Sequence, residues 1–386
     1  MKKTLTVIGL LLIMVIIGTQ LSGYQYSTIY INEEYSLTNT DIGLLSAMQF
    51  IPMLLMPVLF GGAIDRYDKR LLAIMCAACY VIGSLVIFLF RSTISLIIGI
   101  FINACGGAMA PAVITVLLAE INPAREREYT SFVEACYSSG LVFAPLILGF
   151  LIGRGIMDWR GVFLIASIMS VVSIILLLVS RTEPVKKIEK VKNASDRFRL
   201  DLVIVMLILF GLIYTMMEIG FTTYSALYFV ELFDYELGAR LSVSVVGFAM
   251  VVSKLASAKF RSKKEHTLIF CALSSMIVNL FMVIFPGKIL SVVWCALFGL
   301  LAGPCWPTLM STALERYYSN AGRITTIILL GSGIGGIVVS PIMGILIDAI
   351  GVRLSYTIVS VCALLAALTV ILILLDDKKK KTADLS

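Results

Sequence analysis

Long apolar runs alternate with short polar interruptions along the whole chain. Each run can form the helix of about 20 residues that crosses the hydrocarbon core of a bilayer, with its backbone hydrogen bonds satisfied inside the helix. The pattern therefore predicts twelve transmembrane helices, near residues 5–29, 41–63, 71–90, 94–119, 130–153, 161–180, 201–229, 240–258, 267–286, 289–314, 324–348 and 354–375.

The charges in the polar interruptions predict the orientation of the chain. An even number of spans places both termini on the same side. If that side is the cytoplasm, six of the 31 lysines and arginines lie outside: Arg91, Arg154, Arg160, Arg240, Lys288 and Arg353. Because cytoplasmic loops are enriched in Lys and Arg, we expect a multi-pass protein of the cytoplasmic membrane with cytoplasmic N and C termini.

Composition agrees with this picture. Hydrophobic residues make up 59% of the 386 residues and charged residues 14%, more apolar surface than a soluble chain of this length can bury. The net charge of +7 follows from the membrane topology and does not call for nucleic acid. The eight cysteines lie inside apolar runs without zinc-ligand spacing, so we expect no disulfide framework, metal or cofactor.

The first 18 residues resemble a signal peptide, because Lys2 and Lys3 precede an apolar segment. No small-x-small cleavage site follows, and the segment has a counterpart later in the chain. We interpret it as a retained first helix, with cleavage as the alternative.

The chain divides into two similar parts. The polar run 181–199 separates the first six spans from the last six, which predicts halves at 1–180 and 200–386 joined by a cytoplasmic linker. Short motifs recur in the same order: Tyr26-Ser27 as Tyr224-Ser225, Gly107 and Pro111 as Gly303 and Pro307, and Pro145 and Gly149 as Pro341 and Gly344. We therefore expect an all-α membrane protein of two pseudo-symmetric six-helix halves around a central cavity, an arrangement typical of transporters.

The stretch Gly61–Arg70, reading GGAIDRYDKR, lies between the second and third spans. It resembles the corresponding loop of major facilitator superfamily transporters, G-x-x-x-D-[RK]-x-G-x-[RK]-[RK]. The matching residues are Gly61, Asp65 and Arg66, followed by the cations Lys69 and Arg70, whereas Asp68 stands where the family has glycine. A generic basic loop is the alternative. The resemblance implies twelve helices that move a solute by alternating access.

Several charged residues near the ends of spans are candidates for gates. Glu120 ends the fourth span and Glu134 lies one turn into the fifth, so both are expected to form an inner gate network with Asp65 and Arg70. Asp348 lies near the outer end of the eleventh span and is expected to cap or gate that side.

Glu218 is the acid that the sequence places near the middle of a span, where a charge costs about 2.5–3.5 kcal/mol on insertion scales. It shares a helical stripe with Tyr214, and the repeat aligns it with Gln20, one turn before Tyr24. Its carboxylate is predicted to titrate with a proton or to bind substrate. The alternative is a structural acid held by neighbouring helices.

Further polar or aromatic candidates for the cavity are Tyr24, Asn103 and Trp306, each of which suits packing as well as ligand contact. Aromatic residues beside a polar stripe favour a small organic solute over a bare ion. We expect a monomer in contact with membrane lipid, with a proton as the second partner.

Motifs of intramembrane enzymes and of ATP-driven pumps are absent, and the single histidine, His266, is assigned to a cytoplasmic loop. The sequence therefore predicts a secondary transporter. Tyr214, Glu218, Gly220 and Tyr224 resemble the seventh span of fucose-permease-like sugar–proton symporters, so proton symport is favoured. An exporter working by proton antiport and a non-transporting membrane sensor are the alternatives.

Overall fold

The computed structural model describes residues 2–60, 67–121, 126–180, 201–257, 263–317 and 321–383. All regular secondary structure in these ranges is helical. Twelve helices are long and apolar enough to cross a membrane. Their bounds are Lys3–Tyr35, Asn39–Pro57, Lys69–Leu89, Thr93–Leu118, Ala135–Gly153, Gly161–Val179, Leu202–Thr223, Glu236–Ser257, Lys264–Ile284, Lys288–Arg316, Arg323–Ile350 and Val352–Lys379.

The prediction of twelve spans is confirmed, and each is numbered below by its order in the chain. We call the face of the bundle where the chain begins and ends the terminal face, and the opposite face the far face. Loops 36–38 and 154–160 lie at the far face. The predicted linker 181–199 lies outside the described residues, so the domain bounds stay a prediction.

Several observed bounds differ from the predicted ones, and spans 1 and 9 are two examples. Span 1 continues to Tyr35, because the chain turns only at Ser36, whose φ of 50° is left-handed, and Thr38 then caps span 2 in a capping box with Asp41. His266 lies in the first turn of span 9 and not in a loop.

Four spans are interrupted helices among the described residues, and in span 12 the break lies at Tyr356, between Val352–Ser355 and Thr357–Ala383. Span 2 breaks between Met48 and Ile51, just before Pro52. Span 7 ends its first helix at Thr223 and continues as Ser225–Phe233. Span 10 breaks at Gly303-Pro304. A proline has no N–H to donate, which accounts for the breaks beside Pro52 and Pro304. The backbone at Tyr224, with φ −107° and ψ 11°, is non-helical without a proline.

The spans pack mainly within each half. Span 1 packs on spans 5 and 6, span 3 on spans 4 and 6, and span 7 on spans 11 and 12. Small polar side chains link neighbouring helices, as where Ser173 Oγ donates to the carbonyl oxygen of Gly9 at 2.8 Å. The main contacts between halves join span 2 to span 11 and span 5 to span 8.

A buried arginine fastens the far-face loop between spans 5 and 6. Arg160 is 1% exposed, and its guanidinium pairs with Glu34 and donates to Asp158 Oδ2 at 3.0 Å and to the Tyr35 hydroxyl at 3.0 Å. It also lies over the ring of Trp159, at 4.4 Å from the ring centroid. Although burial opposes its charge, the hydrogen bonds to Glu34 and Tyr35 raise the pKa of Arg160 above its ordinary value. The cluster ties this loop to the end of span 1.

Substituting this arginine (Arg160→Gln) is expected to lower the free energy of unfolding by about 2 kcal/mol. Removing one partner of a buried pair costs about 3–5 kcal/mol, and the loss is smaller here because the Glu34 side chain is 36% exposed and stays partly solvated. Thermal unfolding of the purified protein measures the effect. Arg91→Gln is the matched control, since Arg91 is 72% exposed and lies 3.8 Å from Asp158, and it should change stability little. Equal losses in the two variants would contradict the expectation.

Candidate functional site

Glu218 lies near the middle of span 7 when the continuation Ser225–Phe233 is included, and it is half-buried. Its backbone carbonyl accepts a hydrogen bond from Thr222 Oγ1 at 3.0 Å. Its carboxylate lies close enough to interact electrostatically with the Tyr214 hydroxyl, one turn earlier, and with the Cys305 thiol of span 10. The structure therefore brings the predicted pair Tyr214 and Glu218 together next to span 10.

Aromatic rings form one wall beside this carboxylate. The Tyr214 ring stacks on Trp306 of span 10, with centroids 6.3 Å apart and an interplanar angle of 26°. The Phe210 ring is nearly parallel to the Tyr214 ring, with centroids 6.4 Å apart and an interplanar angle of 3°. Tyr214 and Phe210 are fully buried, whereas Trp306 is half-buried. A flat ring beside a carboxylate can hold the apolar face of a solute whose polar groups reach the acid.

Gln20 lies on span 1 at a depth similar to that of Glu218. Gln25 Nε2 donates to Thr222 Oγ1 at 3.1 Å, which sets the relative height of the two parallel spans. Gln20 precedes Gln25 by five residues, about 7.5 Å, and Glu218 precedes Thr222 by four, about 6 Å. Gln20 is 5% exposed, and its Nε2 has no hydrogen-bond partner among the described residues. A buried donor in this state is available to a ligand.

Tyr137 of span 5 also lies near Tyr214, although it was not among the residues predicted from the sequence. It lies close enough to Tyr214 to interact with it electrostatically, and so brings the first half near the aromatic wall. The available signal was the polar stretch Tyr137-Ser138-Ser139 inside an otherwise apolar run.

Tyr24 and Asn103 are tied to other helices of the first half. The Tyr24 hydroxyl hydrogen-bonds to Ser46 Oγ of span 2 at 3.1 Å. Asn103 is 0% exposed and donates from Nδ2 to Ser84 Oγ of span 3 at 3.2 Å. These contacts suit the packing alternative for both residues, so neither is included in the site proposed below.

The far face is closed by contacts between the two halves. Asp348 of span 11 accepts four hydrogen bonds from the start of span 2: from Asn39 N and Nδ2 at 3.1 and 3.0 Å, and from Thr40 N and Oγ1 at 2.9 and 2.7 Å. The Tyr224 hydroxyl donates to the carbonyl oxygens of Asn39 and Ser340, at 2.9 and 3.2 Å. A carboxylate at the positive end of span 2 is also favoured by the helix dipole.

The terminal face has a different arrangement. Glu120 pairs with Lys69 at 2.9 Å, and Arg70 donates from Nη2 to the Leu178 carbonyl oxygen at 3.0 Å. Both contacts stay within the first half. Glu120 was predicted to form a gate network with Asp65 and Arg70, but its ion-pair partner among the described residues is Lys69. Three residues of the predicted inner gate (Gly61, Asp65 and Arg66) lie outside the described residues, as does the side chain of Glu134.

The contacts at the far face and at the terminal face differ in whether they join the two halves. Four of the residues that hydrogen-bond across the two halves lie toward the far face: Gln25, Asn39, Tyr224 and Arg240. The ion pairs found at the terminal face, between described residues, each stay within one half. Hydrogen bonds between described residues therefore join the two halves at the far face.

Within the described residues, no group of His, Cys, Asp and Glu side chains has an arrangement that could hold a metal ion. The neighbours of Glu218 include instead the aromatic ring of Tyr214 and the thiol of Cys305.

Comparisons with known proteins identify the family. Residues 8–329 match the family model of the Major Facilitator Superfamily. Monosaccharide-sensing protein 2 of Arabidopsis thaliana is 27% identical over 166 residues, a match that spans 40% of this chain and 22% of that protein.

Solved structures share the fold at low sequence identity. A D-xylose–proton symporter has a TM-score of 0.79 at 16% identity, with 95% of this chain and 97% of that chain covered. The nucleoside transporter NupG has a TM-score of 0.76 at 14% identity, with 97% and 99% covered. Since the family model covers most of the chain, this protein belongs to the Major Facilitator Superfamily and is a multi-pass membrane transporter, not an enzyme.

Proposed function

We propose that the protein moves a small polyhydroxylated solute of the sugar or nucleoside class across the cytoplasmic membrane, coupled to a proton that Glu218 carries. The observation that carries the proposal is the half-buried Glu218 carboxylate beside the stacked rings of Tyr214 and Trp306. The fold shared with a xylose–proton symporter and a nucleoside transporter supports the solute class.

The chemistry of the site fits such a solute. A sugar ring or a nucleobase has an apolar face that packs on the indole of Trp306 and hydroxyl or amino groups that bond to Glu218. Gln20 supplies an amide from the other half, and Tyr137 a second aromatic group. Groups from both halves would thus contact one solute. A site that opens alternately to the two sides of the membrane requires this arrangement.

The same proposal assigns the two gates. The excess of Lys and Arg in its loops favours a cytoplasmic terminal face, and Asp348 then belongs to the outer gate. The inner gate would then close in the state in which the terminal face is sealed. It would be formed by the Lys69–Glu120 pair and Arg70, together with Glu134 and the motif residues Gly61, Asp65 and Arg66. Halves 1–180 and 200–386 rock about the site, and 181–199 links them.

Counterflow in proteoliposomes tests the proposal. Vesicles preloaded with D-xylose, D-glucose, uridine or L-leucine are diluted into the same labelled solute, with and without a pH gradient. Counterflow of a sugar or of uridine, enhanced by an inward proton gradient, supports symport. Flux only when the gradient favours efflux favours the exporter, and saturable binding without flux favours the sensor.

Replacing one ring of the aromatic wall (Trp306→Leu) is expected to weaken the apparent affinity for the transported solute about tenfold. Burying an aromatic side chain contributes about 1.5–3 kcal/mol, and 1.4 kcal/mol corresponds to tenfold. The measurement is the KM for exchange. Trp294→Leu is the matched control, since Trp294 lies in the same span near the far face and packs against Phe281. An unchanged KM in Trp306→Leu would remove this ring from the site.

A further inference from the structure

A second cavity lies at the terminal ends of spans 9, 10 and 12, apart from Glu218. Its volume is about 500 Å³. Its lining includes the basic residues Lys263, His266 and Lys378 and the aliphatic residues Ile371, Leu374 and Leu375. A cavity lined by both cationic and aliphatic side chains matches an amphiphile with an anionic head.

The floor of this cavity is a charge cluster that joins the three spans. Arg316, the last residue of span 10, donates from Nη2 to Glu265 Oε1 at 2.7 Å and to Asp377 Oδ2 at 2.6 Å. The two carboxylates largely neutralise this guanidinium. Counting Lys263 and Lys378 as well, three cations face two carboxylates, so the cavity is net positive before His266 is considered.

The cavity also lies at the level where lipid headgroups are found. In span 12 the apolar run ends at Leu375, and two acids and Lys378–Lys381 follow. In span 9 the polar residues Lys263–Thr267 precede an apolar run that starts at Leu268. Both changes from apolar to charged sequence border the cavity. A basic pocket between helices at this depth is a typical binding place for anionic lipid headgroups.

The start of span 9 adds hydrogen-bond donors. The helix Lys264–Ile284 begins after Lys263, whose side chain makes no capping hydrogen bond. First-turn N–H groups at a helix start favour anions such as phosphate. They reinforce the lysines that line the cavity.

We propose that this cavity binds one anionic phospholipid from the leaflet at the terminal face. Its phosphate contacts Lys263, His266 and Lys378, and the first part of its acyl chains lies along Leu374 and Leu375. Because Arg316 bridges spans 9, 10 and 12 beneath the headgroup, the bound lipid stabilises the packing of these three spans.

Lipid-dependent stability of the purified full chain tests this proposal. Phosphatidylglycerol or phosphatidylcholine is added in mixed micelles, the midpoint of thermal unfolding is recorded, and retained lipid is counted by native mass spectrometry. We expect phosphatidylglycerol to raise the midpoint and to stay bound at one molecule per chain, and phosphatidylcholine to do neither. Inorganic phosphate and glycerol 3-phosphate, which lack acyl chains, should give no shift.

Paired variants make the test specific. Each cation removed should lower the affinity for phosphatidylglycerol about fivefold, so the double substitution Lys263→Gln with Lys378→Gln should lower it about 25-fold. The control combines Lys288→Gln and Lys379→Gln, which removes the same charge from residues that do not line the cavity. Equal losses in the two double variants, equal stabilisation by the two lipids, or a shift produced by phosphate alone would each overturn the proposal.

Discussion

Replacing the mid-span acid (Glu218→Gln) is expected to abolish solute accumulation driven by a pH gradient while solute exchange continues. Glutamine keeps the size and the hydrogen-bonding capacity of the side chain beside Tyr214, but it cannot carry a proton. One pH unit corresponds to about 1.4 kcal/mol, so a carrier that couples one proton to one solute accumulates it about tenfold. In the variant the ratio should fall to about one, measured by labelled-solute uptake into proteoliposomes.

The control for this experiment is a second carboxylate on the same segment of chain. Glu231 is exposed and lies in the helix Ser225–Phe233, beyond the break at Tyr224. Glu231→Gln removes the same charge and should leave accumulation at about tenfold. If Glu218→Gln also accumulated its solute tenfold, Glu218 would be a structural acid and the proton would travel elsewhere.

Introducing a bulky side chain between spans 2 and 11 (Gly43→Leu) is expected to prevent closure of the far face. A Cβ atom at Gly43 would lie 2.7 Å from Pro341 Cα and close to the Ser340 carbonyl oxygen. These are backbone atoms, which cannot move aside by a change of rotamer. Overpacking costs about 1–3 kcal/mol, and the cost falls on the closed far face alone, so the population should shift about 5- to 150-fold toward a state open at that face.

Distances between spin labels at Glu33 and Leu237, exposed residues near the far face in different halves, report this shift. The distribution should move to longer distances in Gly43→Leu, and transport should be lost. Gly287→Leu is the control, because Gly287 has an extended φ of −173° and an added Cβ would make an ordinary contact at 3.4 Å with Leu290. Lost transport with an unchanged distance distribution would contradict this explanation.

The twelve spans were predictable because a bilayer requires long apolar helices, and this requirement is written directly in the sequence. The break at Gly303-Pro304 also had a local signal, since Pro304 has no N–H. The break at Tyr224 had none. Its side chain donates to carbonyl oxygens of Asn39 and Ser340, so distant parts of the chain participate in this local geometry.

The candidate site was predictable only in part. Glu218 and Tyr214 share one helix, and helical spacing was enough to pair them. Trp306 and Tyr137 come from other spans, and a single sequence does not show how each helix is rotated about its axis. For the same reason the sequence did not distinguish Asn103, which packs on Ser84 between spans 3 and 4, from a residue that faces the cavity.

The far-face contacts centred on Asn39 have a consequence for inhibition. Asn39 is bound both to Asp348 and to Tyr224, so loop 36–38 and the end of span 11 form one continuous surface only while the halves meet. An antibody fragment or nanobody that recognises this composite epitope binds one conformation and not the other. Such a binder shifts the population toward the state with the far face sealed. Raising the solute concentration on the side of the membrane where the binder acts would not relieve the inhibition.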